Sequence, residues 1–190
     1  GEPFQPFRTP EPEKKRLLFV GESVSLAHIG RPATLARWAK DAGYDVYFAC
    51  GPAYADVARA EGFEPIPLTT ISTKLFYARL AGGKFFYKKE EIEEYVRAEL
   101  NLYAQVQPDL VVGDFRLSLS ISAEMAGIPF LSLINAHWSP TAECRMQAPN
   151  AGPFKLLPAG LRNAFFSLIR PLAFRLFGRP MNQARRRFGL

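Results

Sequence analysis

A doubly wound α/β fold with a parallel sheet is the class this sequence predicts, on three observations. The segment Leu17–Cys50 reads as an apolar strand, a glycine turn, a helix and a second apolar strand, the opening β-α-β of a parallel sheet. Apolar runs then go on alternating with amphipathic segments, giving five strands in all. A chain of 190 residues, 48% hydrophobic and 22% charged, is long enough and apolar enough for one well-buried domain.

The elements follow in order. Leu17–Val20 is a buried strand led in by Arg16, with Gly21 turning the chain after it. Pro32–Ala42 is a helix with Leu35, Trp38, Ala39 and Ala42 on one face; Pro32 suits its first turn, and Gly43 suits its end. Asp45–Cys50 is strand two. Tyr54–Ala60 is a short helix ended by Gly62, and Glu64–Ile66 is a short strand three. Residues 69–88 mix Phe76, Tyr77, Phe85, Phe86 and Tyr87 with lysines around Gly82-Gly83, and are expected to form a mobile insertion. Lys89–Gln105 is a helix with Ile92, Tyr95, Val96, Leu100, Tyr103 and Ala104 at helical spacing, stopped by Pro108. Leu110–Gly113 is strand four, Leu117–Ala126 a helix closed by Gly127, and Pro129–Ile134 strand five. A polar loop fills Asn135–Pro153.

The apolar tail Leu161–Phe177 carries Arg162, Arg170 and Arg175, so it is no membrane span. Pro171 is expected to break it near Arg170. Part of the tail should pack on the sheet and part stay exposed. Residues 1–15 hold four prolines and no apolar run. They are expected to be a disordered leader, and they are not a signal peptide.

Right-handed crossovers limit the topology. The common arrangement starts at the centre, runs outward through strands two and three, then returns to set strand four beside strand one. That reversal opens a crevice above the carboxyl ends of strands one and four. His28, one of two histidines, follows strand one. Asp114 directly follows strand four in VVGDF. A carboxylate that fixes an imidazole's tautomer makes it a general base. Taken alone, the same residues also fit a solvated loop histidine and a helix N-cap.

Composition excludes other classes. The net charge of +6 is mild, and no nucleic-acid-binding motif accompanies it. There is no GxGxxG, no GxxxxGK[ST] and no GxSxG, which argues against dinucleotide binders, P-loop NTPases and α/β-hydrolases. Cys50 and Cys144 form no CxxC pair, so no metal site is expected. A reducing, cytoplasmic compartment is the default.

AHIGRPATLARWAKDAGYDVYFA resembles the first loop and helix of GT-B fold glycosyltransferases of the UDP-glycosyltransferase and macrolide-glycosyltransferase type. Here Ala27 stands for a glycine, Arg31 precedes Pro32, and Tyr44 replaces a second histidine. QPDLVVGDFRLSLSISAEMAGIPFLSL resembles that family's strand four, acidic residue, helix and strand five. RPMNQARRRFGL resembles the basic helix before the interdomain linker. The resemblance spans residues 16–190 and implies a Rossmann-like acceptor-binding domain, with residues 153–190 a helical tail toward a C-terminal domain. It implies His28 as general base and Asp114 as its support, in an inverting transfer to an acceptor hydroxyl on a small molecule or lipid. The donor would be a nucleotide-diphosphate sugar, held mainly by the C-terminal domain in cis or in trans, with no cofactor besides. On that reading the chain is a truncation, a fragment or half of a split enzyme, and does not transfer sugar alone. Asn135, His137 and Trp138 after strand five, and Phe76 and Phe86, are candidates for the acceptor pocket. Aromatic clusters also form cores, and His137 also fits a structural role.

Two other classes compete. The Arg-bearing tail and Lys-rich aromatic loop suit a non-catalytic anchoring subunit of a split glycosyltransferase, peripheral at the inner face of the membrane. A flavodoxin-like binding module is the third. The His28/Asp114 pair favours the first, because an anchor needs no general base.

Overall fold

Five parallel strands form one sheet in the order β3-β2-β1-β4-β5. They are β1 (Arg16–Gly21), β2 (Asp45–Cys50), β3 (Ile66–Pro67), β4 (Leu110–Asp114) and β5 (Phe130–Leu133). The chain reverses direction across the sheet between β1 and β4, as the doubly wound reading requires. The computed structural model describes residues 14–82, 84–136, 148, 156 and 158–190; the leader 1–13, His137 and Trp138 lie outside them.

Alternate strand residues feed two cores. Leu18, Val20 and Val111 face one side and meet Leu102, Tyr103 and Val106 of α4 (Lys89–Val106) and Leu119 of α5 (Leu119–Ala126). Phe19, Phe48 and Val112 face the other and meet Ile29, Ala33 and Ala36 of α1 (Ala27–Asp41) and Ala58 of α2 (Ala55–Ala60). Burial on both faces is what a parallel sheet demands.

Four expectations are corrected. First, α1 begins at Ala27, five residues before Pro32, so His28 lies on its first turn and not in a loop. Pro32 sits inside the helix, where it only denies the His28 carbonyl its usual N–H partner. The buried face is accordingly Ile29, Pro32, Ala33 and Ala36, and Trp38 is exposed. Second, β3 is Ile66–Pro67, displaced from Glu64–Ile66.

Third, residues 69–88 are no loose insertion. They contain α3 (Thr73–Ala81), N-capped by Ser72, whose Oγ accepts from the Leu75 N–H at 3.2 Å. Arg79 forks onto both oxygens of Glu91 at 2.6 and 2.8 Å and fastens α3 to α4. Phe76 and Tyr87 join a third buried cluster with Ile92, Tyr95, Val96 and Ile121.

Fourth, Pro171 does not break the tail: α6 (Ala159–Phe177) runs through it. The proline deprives only the Ser167 carbonyl. The neighbouring Leu168 and Leu172 are 78% and 61% exposed, so water reaches this stretch. The basic α7 (Arg179–Arg187) follows, buries Ala184 in the third cluster, and pins itself to α5 through Arg185 and Glu124 at 2.8 Å. The tail is thus packed at α7 and exposed along α6.

Candidate active site

The sheet's register builds the site. Gly21 pairs with Asp114 across β1 and β4, and Asp114 pairs with Leu133 across β4 and β5. Glycine is required at the end of β1: a Cβ there would lie 2.5 Å from Ile29 Cδ1 and 2.7 Å from the His28 carbonyl oxygen. The absent side chain lets the first turn of α1 lie against the strand end, and that turn carries His28.

His28 Nδ1 lies 2.8 Å from Asp114 Oδ1. A carboxylate only accepts, so Nδ1 donates and the lone pair stays on Nε2. The Asp114 side chain is 1% exposed and that of His28 16%. The acid is sealed and the imidazole opens to solvent, as a base that must meet a substrate requires.

The ring is fixed from below by Phe115, stacked on it at 4.6 Å between centroids and 15° between planes. Phe115 has φ +56, a left-handed conformation unusual for an aromatic residue. Behind it stands Phe76, edge-on at 5.7 Å, and behind that Phe86 at 5.4 Å. Phe76 and Phe86 therefore reach His28 only through Phe115, and Phe76 is buried.

Arg31, one turn along α1 from His28, donates through Nη2 to the same Asp114 Oδ1 at 2.9 Å and through Nη1 to Asn135 Oδ1 at 2.6 Å. Asn135 thus joins the cluster from the end of β5. Asp114 Oδ2 is buried without a hydrogen-bond partner among the described residues. An open cavity of about 680 Å³ lies beside Arg31, lined by Thr34, Leu35 and Trp38 of α1 and by Ser132 and Ile134.

A second constellation, inaccessible to sequence reasoning, clamps the same strand ends from inside. Glu22, the residue after β1, is fully buried. Its Oε2 accepts from Arg116 Nη1 at 3.1 Å, while Arg116 Nε donates to Glu99 Oε1 at 2.7 Å. The guanidinium lies 3.6 Å from the centroid of the Tyr95 ring. Ser118 and Ser122 donate to Glu99 as well. Burial pushes the Glu22 carboxyl up to about 7, against the pull of Arg116. Burial would lower the Arg116 pKa, but Glu99 and Glu22 outweigh it and hold the guanidinium charged. Burial also pushes the Cys50 thiol up to about 11, against Arg59, so it behaves as a core residue. Among the described residues no group of three or more His, Cys, Asp or Glu is placed to hold a metal ion.

Comparison with known proteins shows what the chain is similar to in sequence and fold. The chain is 41% identical over 177 residues, 93% of its length, to a PGL/p-HBAD biosynthesis rhamnosyltransferase of Mycobacterium bovis strain BCG. It is 37% identical over 187 residues to a PGL/p-HBAD biosynthesis glycosyltransferase of Mycobacterium tuberculosis. The same 37% holds for an M. bovis BCG protein named an inactive PGL/p-HBAD biosynthesis glycosyltransferase. The chain spans 39–51% of the length of these relatives. In structure it is similar to the glycosyltransferase SnogD of Streptomyces nogalater, with a TM-score of 0.52 and 23% identity over 64% of this chain and 33% of that one. No family model matches. The chain is a sequence relative of the PGL/p-HBAD glycosyltransferases and carries a sheet domain of the GT-B glycosyltransferase kind.

Proposed function

We propose that these residues hold the acceptor and the catalytic base of an inverting glycosyltransferase. The observation that carries the proposal is the 2.8 Å contact of His28 with a sealed Asp114 at the mouth of neighbouring strands, in a chain related to glycosyltransferases. His28 Nε2 takes the proton of an acceptor hydroxyl. The freed oxygen attacks the anomeric carbon of a nucleotide-diphosphate sugar from the face opposite the leaving group. The bond to the diphosphate breaks, the nucleotide diphosphate leaves with the electron pair, and the configuration inverts. Asp114 orients the imidazole and stabilises the imidazolium that forms. Arg31 and Asn135 hold Asp114 in place.

The acceptor, a small molecule or a lipid, lies along the β5 side, where Asn135, His137 and Trp138 follow the strand. Phe76 and Phe86 serve it indirectly, as backing for Phe115. Stabilising the departing diphosphate is an electrostatic task assigned to a nucleotide-sugar-binding domain outside these residues, in the same chain or a separate one.

The test is transfer from a panel of nucleotide-diphosphate sugars to phenol and sugar-hydroxyl acceptors by a protein that joins these residues to such a domain. His28→Ala is expected to lower turnover about a hundredfold to ten-thousandfold. Undiminished turnover would remove His28 as the base. The second reading, a non-catalytic subunit, is favoured by the relative named inactive. It predicts binding of a catalytic partner that His28→Ala leaves intact, and no turnover that depends on His28.

A further inference from the structure

The charge of this chain is concentrated at one end. Seven arginines and no acidic residue lie between Pro158 and Leu190, so the whole net charge of +6 arises there. This is the stretch that forms α6 and α7. From α7, Arg185 reaches Glu124.

The same stretch exposes apolar surface in a row. Successive helical residues turn by about 100°. Leu161, Phe165, Leu168, Leu172 and Leu176 of α6 therefore fall within about 80° of one another, over roughly 22 Å of helix. The first four are exposed. The row runs into a cleft of about 460 Å³, where Leu176 and Phe177 face Lys84, Phe85 and Lys88 from the segment before α4. Phe85 and Phe177 meet edge-on there at 5.7 Å. The cleft thus joins an apolar floor to two lysines, and continues the stripe onto a second part of the chain.

We infer that this composite face docks on the surface of an anionic lipid bilayer. A helix with an exposed apolar stripe and an arginine-rich flank lies in the interfacial plane, apolar side chains among the acyl boundary and cations among the headgroups. Arginines held near the surface gain from an anionic leaflet. A protein partner covering this face would need a matching acidic surface around an apolar groove, whereas an anionic bilayer supplies both at once. No described helix is long and apolar enough to cross a membrane, so the contact is peripheral. The inference goes beyond the transfer chemistry and stands without it, because vesicle binding involves neither donor nor His28.

The experiment is sedimentation of the 190-residue chain with phosphatidylcholine vesicles and with vesicles of two parts phosphatidylcholine to one part phosphatidylglycerol. Binding is expected to be at least tenfold tighter to the anionic vesicles. The exposed pair Leu168→Glu with Leu172→Glu should lower it at least tenfold, with circular dichroism unchanged. Lys84→Ala with Arg175→Ala should weaken binding to the anionic vesicles and make it less sensitive to salt. Equal binding to both vesicle types, no binding to either, or no effect of the glutamates would overturn the inference. So would a dimer that the glutamates dissociate without altering vesicle binding, which would give the stripe to a second copy of the chain.

Discussion

At the scale of residues, His28 is defined by what surrounds it rather than by its place in the sequence. Asp114 sets its tautomer, Phe115 sets its plane, and Gly21 lets its helix approach. Gly21→Ala drives a methyl group against the Ile29 side-chain tip and also against the His28 carbonyl oxygen, which is backbone and cannot swing aside. It is expected to cost about 1–3 kcal/mol, read as a lowered urea midpoint, and to reduce turnover by moving His28. Asp114→Asn keeps the shape but can present an N–H where Oδ1 accepts from both His28 and Arg31. It should leave the fold intact and lower turnover at least tenfold; a variant as active as the parent would show that the imidazole needs no carboxylate. The sequence made the His28–Asp114 pair legible because topology alone brings β1 and β4 together. Arg31 was visible only as a residue before a proline. Its spacing of three from His28 was the available signal, but it becomes one only once α1 is known to start at Ala27.

At the scale of elements, prolines explain what the sequence misled. Pro32 and Pro171 each read as a helix boundary, and each sits inside a helix. In both cases a single carbonyl loses its N–H partner while tertiary contacts or solvent hold the rest. Pro171→Ala is therefore expected to stabilise α6, by up to about 3 kcal/mol from propensity, seen as greater helicity or a higher Tm. A decrease would mean that the proline bends α6 into a contact it needs. The segment 69–88 was illegible for a different reason. Its aromatic and basic residues carry no clean period, and its order comes from partners elsewhere: Glu91 for Arg79, and the third buried cluster for Phe76 and Tyr87. The sheet's order was legible, with β3 alone displaced, since the central parallel strands are buried apolar runs whatever their neighbours.

At the scale of the molecule, the strand ends that position His28 are tied together beneath it by two acids and one arginine. Glu22, with Arg116, Glu99, Tyr87 and Tyr95 around it, titrates near 7 when folded against an ordinary value of 4.5. Its folded state binds the proton more tightly than the unfolded chain. That stabilisation is complete below about pH 4.5 and is lost as pH rises through about 7. The size is on the order of 3 kcal/mol. Urea unfolding between pH 5 and 8 should show this decline, and Glu22→Gln should flatten it. An unchanged slope in that variant would place the titrating group elsewhere. A charged cluster of this kind leaves no periodic trace in sequence, because Glu22 follows β1, Glu99 lies on α4 and Arg116 follows β4.

The central claim is that Asp114 holds His28 with its proton on Nδ1 and leaves Nε2 free toward the crevice. The most direct measurement is a long-range ¹H–¹⁵N correlation spectrum of the ¹⁵N-histidine-labelled chain at mildly alkaline pH, with the His28 signals assigned by their loss in His28→Ala. The account predicts a neutral His28 ring protonated at Nδ1, and a shift toward a tautomer mixture in Asp114→Asn. A ring protonated at Nε2 in the parent would contradict it, since no lone pair would then face the acceptor.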